Sequence, residues 1–395
     1  MLVPMLFSCS KRESSVKTLY VYNWGEYISD GSEGCLDSNK AFEDWYYQQY
    51  GERVEVVYST FSSNEDMYAK LSSGSVSYDV IVPSDYIIER LIDEDMLAPL
   101  NYDNIPNIKN IVPEFYGPDA EFDYYDEGNV YSVPYFYGLI GIIYNKTIVT
   151  DEADLGSWEL MWNPKYKGNI LQFNNSRDAF GTAQYKLGLD VNNDDEAEWR
   201  LALNELLKQK DIVQGYVMDE IFNKMEGGSA AIAAYYAGDF LAMYENNSDL
   251  GFFYPKEGTN LYIDAMCIPK TSKNKELAEA YINFMLTEEP AVANALYTYY
   301  ASPNRVVRES KEYREGMEEI MEGAYELMYD TGHIQAQPYK NLPGEQLALI
   351  NRLWEELKSD IEISPVIYVL CSIIVIALVS LGIFFGVRKK IRNNY

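Results

Sequence analysis

At 395 residues, 47% of them apolar, the chain has material for two lobes rather than a single core. Its 61 acidic against 32 basic residues give a formal charge of −29, which excludes nucleic acid as a partner because nothing would neutralise phosphates. Four scattered cysteines (Cys9, Cys35, Cys267, Cys371), none at metal-ligand spacing, and a lone His333 argue against metal and triad chemistry, so no metal and no cofactor are expected.

Residues 1–17 read as a leader and linker. The apolar run ending at Ser8-Cys9 resembles the end of a lipoprotein signal, which makes Cys9 a candidate for lipidation, although no Lys or Arg precedes it. "TLYVY" then reads as a short buried strand that runs into Asn23, Trp24, Gly25, Glu26 and Tyr27. A helix is predicted over "NKAFEDWYYQQY", a strand over Val54–Tyr58, and a helix over "SSNEDMYAKLSSG" with Ser/Asn capping and Gly74 as its stop. "YDVIVPSDY" is a further strand and "IIERLIDEDML" a helix. This alternation predicts a mainly parallel sheet covered by helices.

The aromatic, extended stretch Asn129–Val149, with Pro134 inside it, is the candidate crossing between lobes. Strands at "GNILQF" and "SAAIAAYYAG" and a helix over "DDEAEWRLALNELLKQK" fill the second lobe, and "NLYIDAMCIPK" is the return strand. "NKELAEAYINFML" is a helix, "TYYASPN" a loop, and Glu309–Asp360 reads as helical. The boundaries expected are 18–133 for the first lobe, 137–258 for the second, 260–303 for the return, and 306–360 for a helical C-terminal part of the second lobe. The uncharged Pro365–Val387 is long enough to cross a bilayer, and the basic tail 388–395 places the C-terminus in the cytoplasm with the lobes outside.

In open α/β sheets, ligands sit beyond the carboxyl ends of strands. The residues expected there include Trp24, Tyr27, Tyr86, Tyr236 and Tyr262 as ring faces and Glu26, Asp85, Asp239 and Asp264 as carboxylates. A slender polyamine needs that mixture. Its methylenes pack on rings, cation–π contacts add about 0.5–2 kcal/mol each, and charge-assisted hydrogen bonds add about 1.5–3 kcal/mol each. Singly, Trp24 reads equally well as core, Glu26 and Asp85 as exposed loop acids, and Tyr236 and Tyr262 as strand aromatics. Asp264, inside the apolar "YIDAMCIP", is hardest to explain that way, because a buried carboxylate needs a partner.

"YVYNWGEYI", "YSTFSSNEDMYAKL", "SYDVIVPSDY", "YSVPYFYGLIGIIYN", "SWELMWNPKYKGNI", "YYAGDF", "YIDAMCIPKTSKNKELAEAYINFML" and "YYASPN" occur in this order, and over Leu19–Leu357 they resemble the extracellular spermidine/putrescine-binding proteins of bacterial ABC importers. The resemblance implies an α/β, type II periplasmic-binding-protein fold, two lobes closing on a ligand in the cleft between them, and a permease as partner. It implies that Trp24 and Tyr27 form an aromatic wall and a hydrogen-bonding phenol, that Glu26 lies near one amine end, and that Ser84 and Tyr86 line the first lobe. Asp264 is implied to hold an inner amine, with Tyr262 beside it and Tyr300 entering from the loop before Pro303. Tyr236 and Tyr262 stand where tryptophan is common, and Asn175 stands where some members carry an aspartate for a terminal amine. The C-terminal span departs from members that are free or lipid-tethered.

The expectation is a monomeric, membrane-tethered polyamine receptor that performs no chemistry. Its alternatives are a binder for another cationic solute (a cationic amino acid, a betaine or an opine), a glycosidase built on paired carboxylates, and a surface adhesin or sensor. No acid carries a sequence feature that would raise its pKa, which argues against the glycosidase.

Overall fold

In the computed structural model, which describes residues 16–359, the first apolar run forms strand β1 (Lys17–Trp24), with Leu19 and Val21 buried. It pairs in parallel with β2 (Val54–Phe61) on one side and β3 (Val80–Ile81) on the other. Helices α1 (Ser38–Tyr50) and α2 (Asn64–Ser72) make the connections. The Asp37 side chain accepts from the Lys40 amide and that of Ser63 from the Asp66 amide, caps worth about 1 kcal/mol each. Helix α3 (Asp85–Asp93) follows β3 after Pro83 and buries Ile87, Ile88 and Leu91.

The predicted crossing is strand β4 (Ser132–Asn145). After it come β5 (Ile170–Phe173), α4 (Ser176–Leu187), α5 (Glu196–Lys210), β6 (Val213–Val217), α6 (Glu220–Glu226), β7 (Ile232–Tyr236), α7 (Ala237–Asn246), β8 (Leu250–Phe253) and β9 (Thr259–Cys267). The first half of β4 pairs with β9 from Ser132 to Leu139, and the second half pairs with β7 from Ile140 to Tyr144. A proline is accommodated inside this central strand because the β4–β9 ladder shifts register between Pro134 and Phe136, and a bulge suits a residue without an N–H. The hydrogen-bonded path runs β2-β1-β3-β9-β4-β7-β5-β6.

Three expectations are corrected. The sheet is mixed: β1–β2, β1–β3, β5–β6 and β5–β7 are parallel, but β4 runs against β7, β8 and β9, and β9 also runs against β3, because β4 and β9 carry the chain out and back. The "SAAIAAYYAG" strand ends at Tyr236, since α7 begins at Ala237 with no intervening loop. The tail is not wholly helical. After α8 (Lys275–Met285), α9 (Glu288–Thr298), α10 (Arg305–Arg308), α11 (Lys311–Ile320) and α12 (Ala324–Tyr329), strand β10 (Ala336–Pro338) pairs in parallel with Thr259–Leu261. The last helix is α13 (Gly344–Lys358). The predicted span Pro365–Val387, the tail 388–395 and Cys9 lie outside the described residues; among the described residues no helix is long and apolar enough to cross a membrane.

Candidate functional site

Three strand exits and one strand face meet in a single cleft. From the end of β1 come Trp24, Glu26 and Tyr27; from the end of β3, Ser84, Asp85 and Tyr86; from the β7–α7 junction, Tyr236 and Asp239. Strand β9 contributes Tyr262 and Asp264, the start of α4 Asn175, and the loop after α9 Tyr300. All twelve residues singled out in the sequence line this one cleft.

Asp264 is the best-anchored acid. Tyr27 donates its hydroxyl to Oδ2 at 2.6 Å, and Ser84 donates to Oδ1 at 2.6 Å. Ser84 is itself fixed by Asn64, whose Nδ2 donates to Oγ at 3.0 Å and whose Oδ1 accepts from the Ser84 amide at 3.2 Å. Burial pushes the Asp264 carboxyl up to about 6, against the two hydroxyls that favour its charged form. Close packing brings the rings in. A Cβ at Gly138 would lie 2.5 Å from the Tyr262 hydroxyl, and one at Gly238 would lie 2.4 Å from Tyr300 Cδ2. Tyr27 and Tyr300 meet edge-to-face at 4.9 Å, and Tyr236 and Tyr262 at 5.2 Å.

The other acids differ in what they leave free. Asp85 spends both oxygens inside the protein: Oδ1 accepts from the Tyr86 amide and Oδ2 from the Tyr124 hydroxyl. Burial raises its pKa to about 8. Asp239 is also raised to about 8 by burial, with Asp219, Glu26 and Asp264 adding repulsion and the Tyr300 hydroxyl partly offsetting it. Glu26 is exposed and has φ +49°, a left-handed backbone uncommon for a side-chain-bearing residue. Burial therefore supplies the raised acid pKa values that no local sequence feature announced.

Asn175 lines the cleft and also caps a helix. Its Oδ1 caps α4 by accepting from the Asp178 amide at 2.8 Å, and its Nδ2 donates to Asp178 Oδ2 at 2.7 Å. Tyr236 donates to the same Oδ2 at 2.7 Å. A carboxylate thus stands in the cleft one helical turn after 175, at Asp178, an acid that went unnoticed because α4 itself was not predicted. Its signal is the Asn-x-x-Asp spacing of a capped helix start. Glu65, which accepts from the Tyr86 hydroxyl at 2.9 Å, was also missed, as were Asp219, Tyr339 and Asn260.

In total, seven carboxylates line the cleft (Glu26, Glu65, Asp85, Asp178, Asp219, Asp239, Asp264), and no Lys, Arg or His does. Burial raises the pKa of Glu65, Asp178 and Asp219 too. The buried Arg177, behind the Tyr86 and Tyr339 rings, partly offsets the charge at Glu65 and Asp178, and the excess of carboxylates over this one cation favours a further cation between them. A wider hollow adjoins the cleft, shares Glu26, Asp219 and Asp239 with it, and is again free of Lys and Arg. Among the described residues no cluster of His, Cys, Asp and Glu is arranged to hold a metal.

Fold and site together define an α/β solute-binding protein with an acidic, aromatic cleft. Residues 40–319 match the family of bacterial extracellular solute-binding proteins, and the chain belongs to that family. It is 32% identical to spermidine/putrescine-binding periplasmic protein 1 of Haemophilus influenzae over 73% of this chain and 75% of that one. It is likewise 32% identical to the spermidine/putrescine-binding periplasmic protein of Escherichia coli, over 74% of this chain and 79% of that one. Among solved structures, the spermidine/putrescine ABC transporter substrate-binding protein PotD of Streptococcus pneumoniae superposes with a TM-score of 0.67 at 32% identity, covering 87% of this chain and 98% of that one.

Proposed function

We propose that this protein is the polyamine receptor of an ABC importer: it captures spermidine or putrescine outside the cytoplasm and delivers it to a permease, catalysing no reaction. The observation that carries the reading is the string of carboxylates between ring faces with no basic side chain among them. A string of separated acids suits a guest with several ammonium groups joined by methylenes. A quaternary ammonium such as a betaine needs only the rings, and an amino acid or opine carboxylate would meet the acids unopposed. Trp24, Tyr27, Tyr236, Tyr262 and Tyr300 would supply the walls; Asp264, Asp239, Asp178, Glu65 and Glu26 would take the amines. Asp85, held by the Tyr86 amide and the Tyr124 hydroxyl as Asp264 is held by Tyr27 and Ser84, would add to the negative charge that draws the guest in. Capture would close two lobes about the strands β4 and β9, because the closed state alone offers both sets of contacts.

A thermal-shift panel tests the cargo. At a hundredfold excess over Kd, a ligand specific for the folded state adds about 2.7 kcal/mol. Spermidine or putrescine is expected to raise the melting temperature by several degrees, with arginine, glycine betaine and opines giving no shift. A shift from betaine alone would overturn the polyamine reading.

The receptor would be a monomer held beside its permease by the charge-free stretch Pro365–Val387, with Arg388, Lys389 and Lys390 on the cytoplasmic side and Cys9 as a lipid attachment point at the other end. Recovery of the full chain in the soluble fraction, like a chain ending at residue 360, would remove the tether.

A further inference from the structure

Strand β9 presents Asn260, Tyr262 and Asp264 at alternate positions, so the three share one face, and all three line the cleft. Asn260 is 3% exposed, and its side-chain Oδ1 is buried with no hydrogen-bond partner. Buried polar atoms are seldom left so, and one in a ligand cleft is explained when a ligand donor completes it. We infer that Asn260 is a specificity-determining residue, whose Oδ1 accepts an N–H from the guest's primary ammonium at the Asp178 end of the cleft. The inference rests on the polyamine reading above and deepens it.

The sheet register places Asn260 at that end. On β4, Leu139 pairs with Leu261 of β9, and the next residue, Ile140, pairs with Tyr236 of β7. Asn260 and Tyr236 therefore flank the same stretch of β4, and the Tyr236 hydroxyl holds Asp178. A primary ammonium has three N–H donors and needs three acceptor directions. Asp178 alone serves it poorly, because its Oδ2 already accepts from Asn175 and Tyr236. Asn260 adds an acceptor without adding negative charge to a crowded group of acids. An N-acetylated amine has one N–H and no charge at that end, so it gains little from this pair.

Calorimetry on the full chain with spermidine, putrescine and N1,N8-diacetylspermidine, which has no primary ammonium at either end, tests this. Asn260→Leu, of similar shape, is expected to lower affinity for the free amine at least about tenfold, the worth of a hydrogen bond to a charged group. It is expected to change the acetylated ligand less, and to leave the ligand-free melting temperature unchanged or higher because a buried orphan acceptor is gone. Asn260→Asp keeps the acceptor and should hold the free amine at least as tightly. If Leu disturbs packing, Asn260→Ala, which only deletes atoms, carries the same expectation for affinity. Wild-type affinity in the Leu and Ala variants overturns the inference alone. Affinity lost only in step with ligand-free stability also overturns it, since Asn260 would then be structural. A wild-type chain that binds no polyamine overturns both this inference and the reading beneath it.

Discussion

Asp264→Ala is expected to weaken polyamine binding by roughly thirtyfold to several thousandfold, the range for removing one partner of a buried charge pair. Asp264 is oriented from both sides, by Tyr27 and by Ser84, and Asn64 fixes Ser84 in turn. Its direction is set before a ligand arrives, so little ordering cost is paid on binding. Asp264→Asn separates charge from shape. It can still exchange hydrogen bonds with the two hydroxyls, yet it offers no charge to an ammonium. Its affinity should fall almost as far as that of the alanine variant. In the ligand-free state the asparagine variant should be at least as stable as the parent, because the empty cleft bears the cost of burying a carboxylate. Calorimetry and thermal melting on the same samples give both numbers. Unchanged affinity in either variant would remove Asp264 from the centre of the site.

Much of this site was legible because cleft residues follow strands, and strands β1, β3 and β9 are short apolar runs that end in recognisable residues. Trp24, Ser84, Tyr86 and Asp264 were read from that rule together with the family resemblance. Asp178 and Glu65 escaped because they project from the first turns of helices, where an acid is an ordinary helix-starting residue. Asp85 was read as a cleft acid, but the Tyr124 hydroxyl that orients it comes from 39 residues away, and no local pattern encodes that pairing. Strand β10 was invisible for a similar reason: three residues ending in a proline become a strand only because β9 lies beside them. Asn260 could be placed on the Asp264 face by alternation, but its lack of a partner is a property of the assembled sheet.

Polyamine binding near neutral pH is expected to release protons, and the affinity is expected to rise with pH between about 6 and 8. In the empty cleft Asp239 titrates at about 8 and Asp264 at about 6, both above the ordinary aspartate value of 3.8. A bound ammonium favours the charged carboxylate and pulls these values down, so protons leave as the ligand enters. At pH 7 Asp239 and Asp85, both raised to about 8, supply most of the release; below pH 6 Asp264 joins them. The ligand's amines, with pKa values near the lysine value of about 10.4, stay charged throughout this range. The sign for stability is opposite. Both groups have folded-state pKa values above their unfolded ones, so the stability they contribute is fully present below pH 3.8 and is lost as pH rises through 6 and then 8. The ligand-free protein should therefore lose this contribution on going from pH 5 to pH 8.5, while the stabilisation gained from saturating ligand grows over the same interval. Calorimetry at pH 7 in buffers of different ionisation enthalpy reads the release directly, as a slope of apparent binding enthalpy against buffer enthalpy. Asp239→Asn should reduce that slope at pH 7, leaving the share of Asp85, and leave a residual release below pH 6 from Asp264. A parent protein whose binding enthalpy is independent of buffer, and whose affinity is level from pH 6 to 8.5, would mean that the guest does not sit among these buried acids.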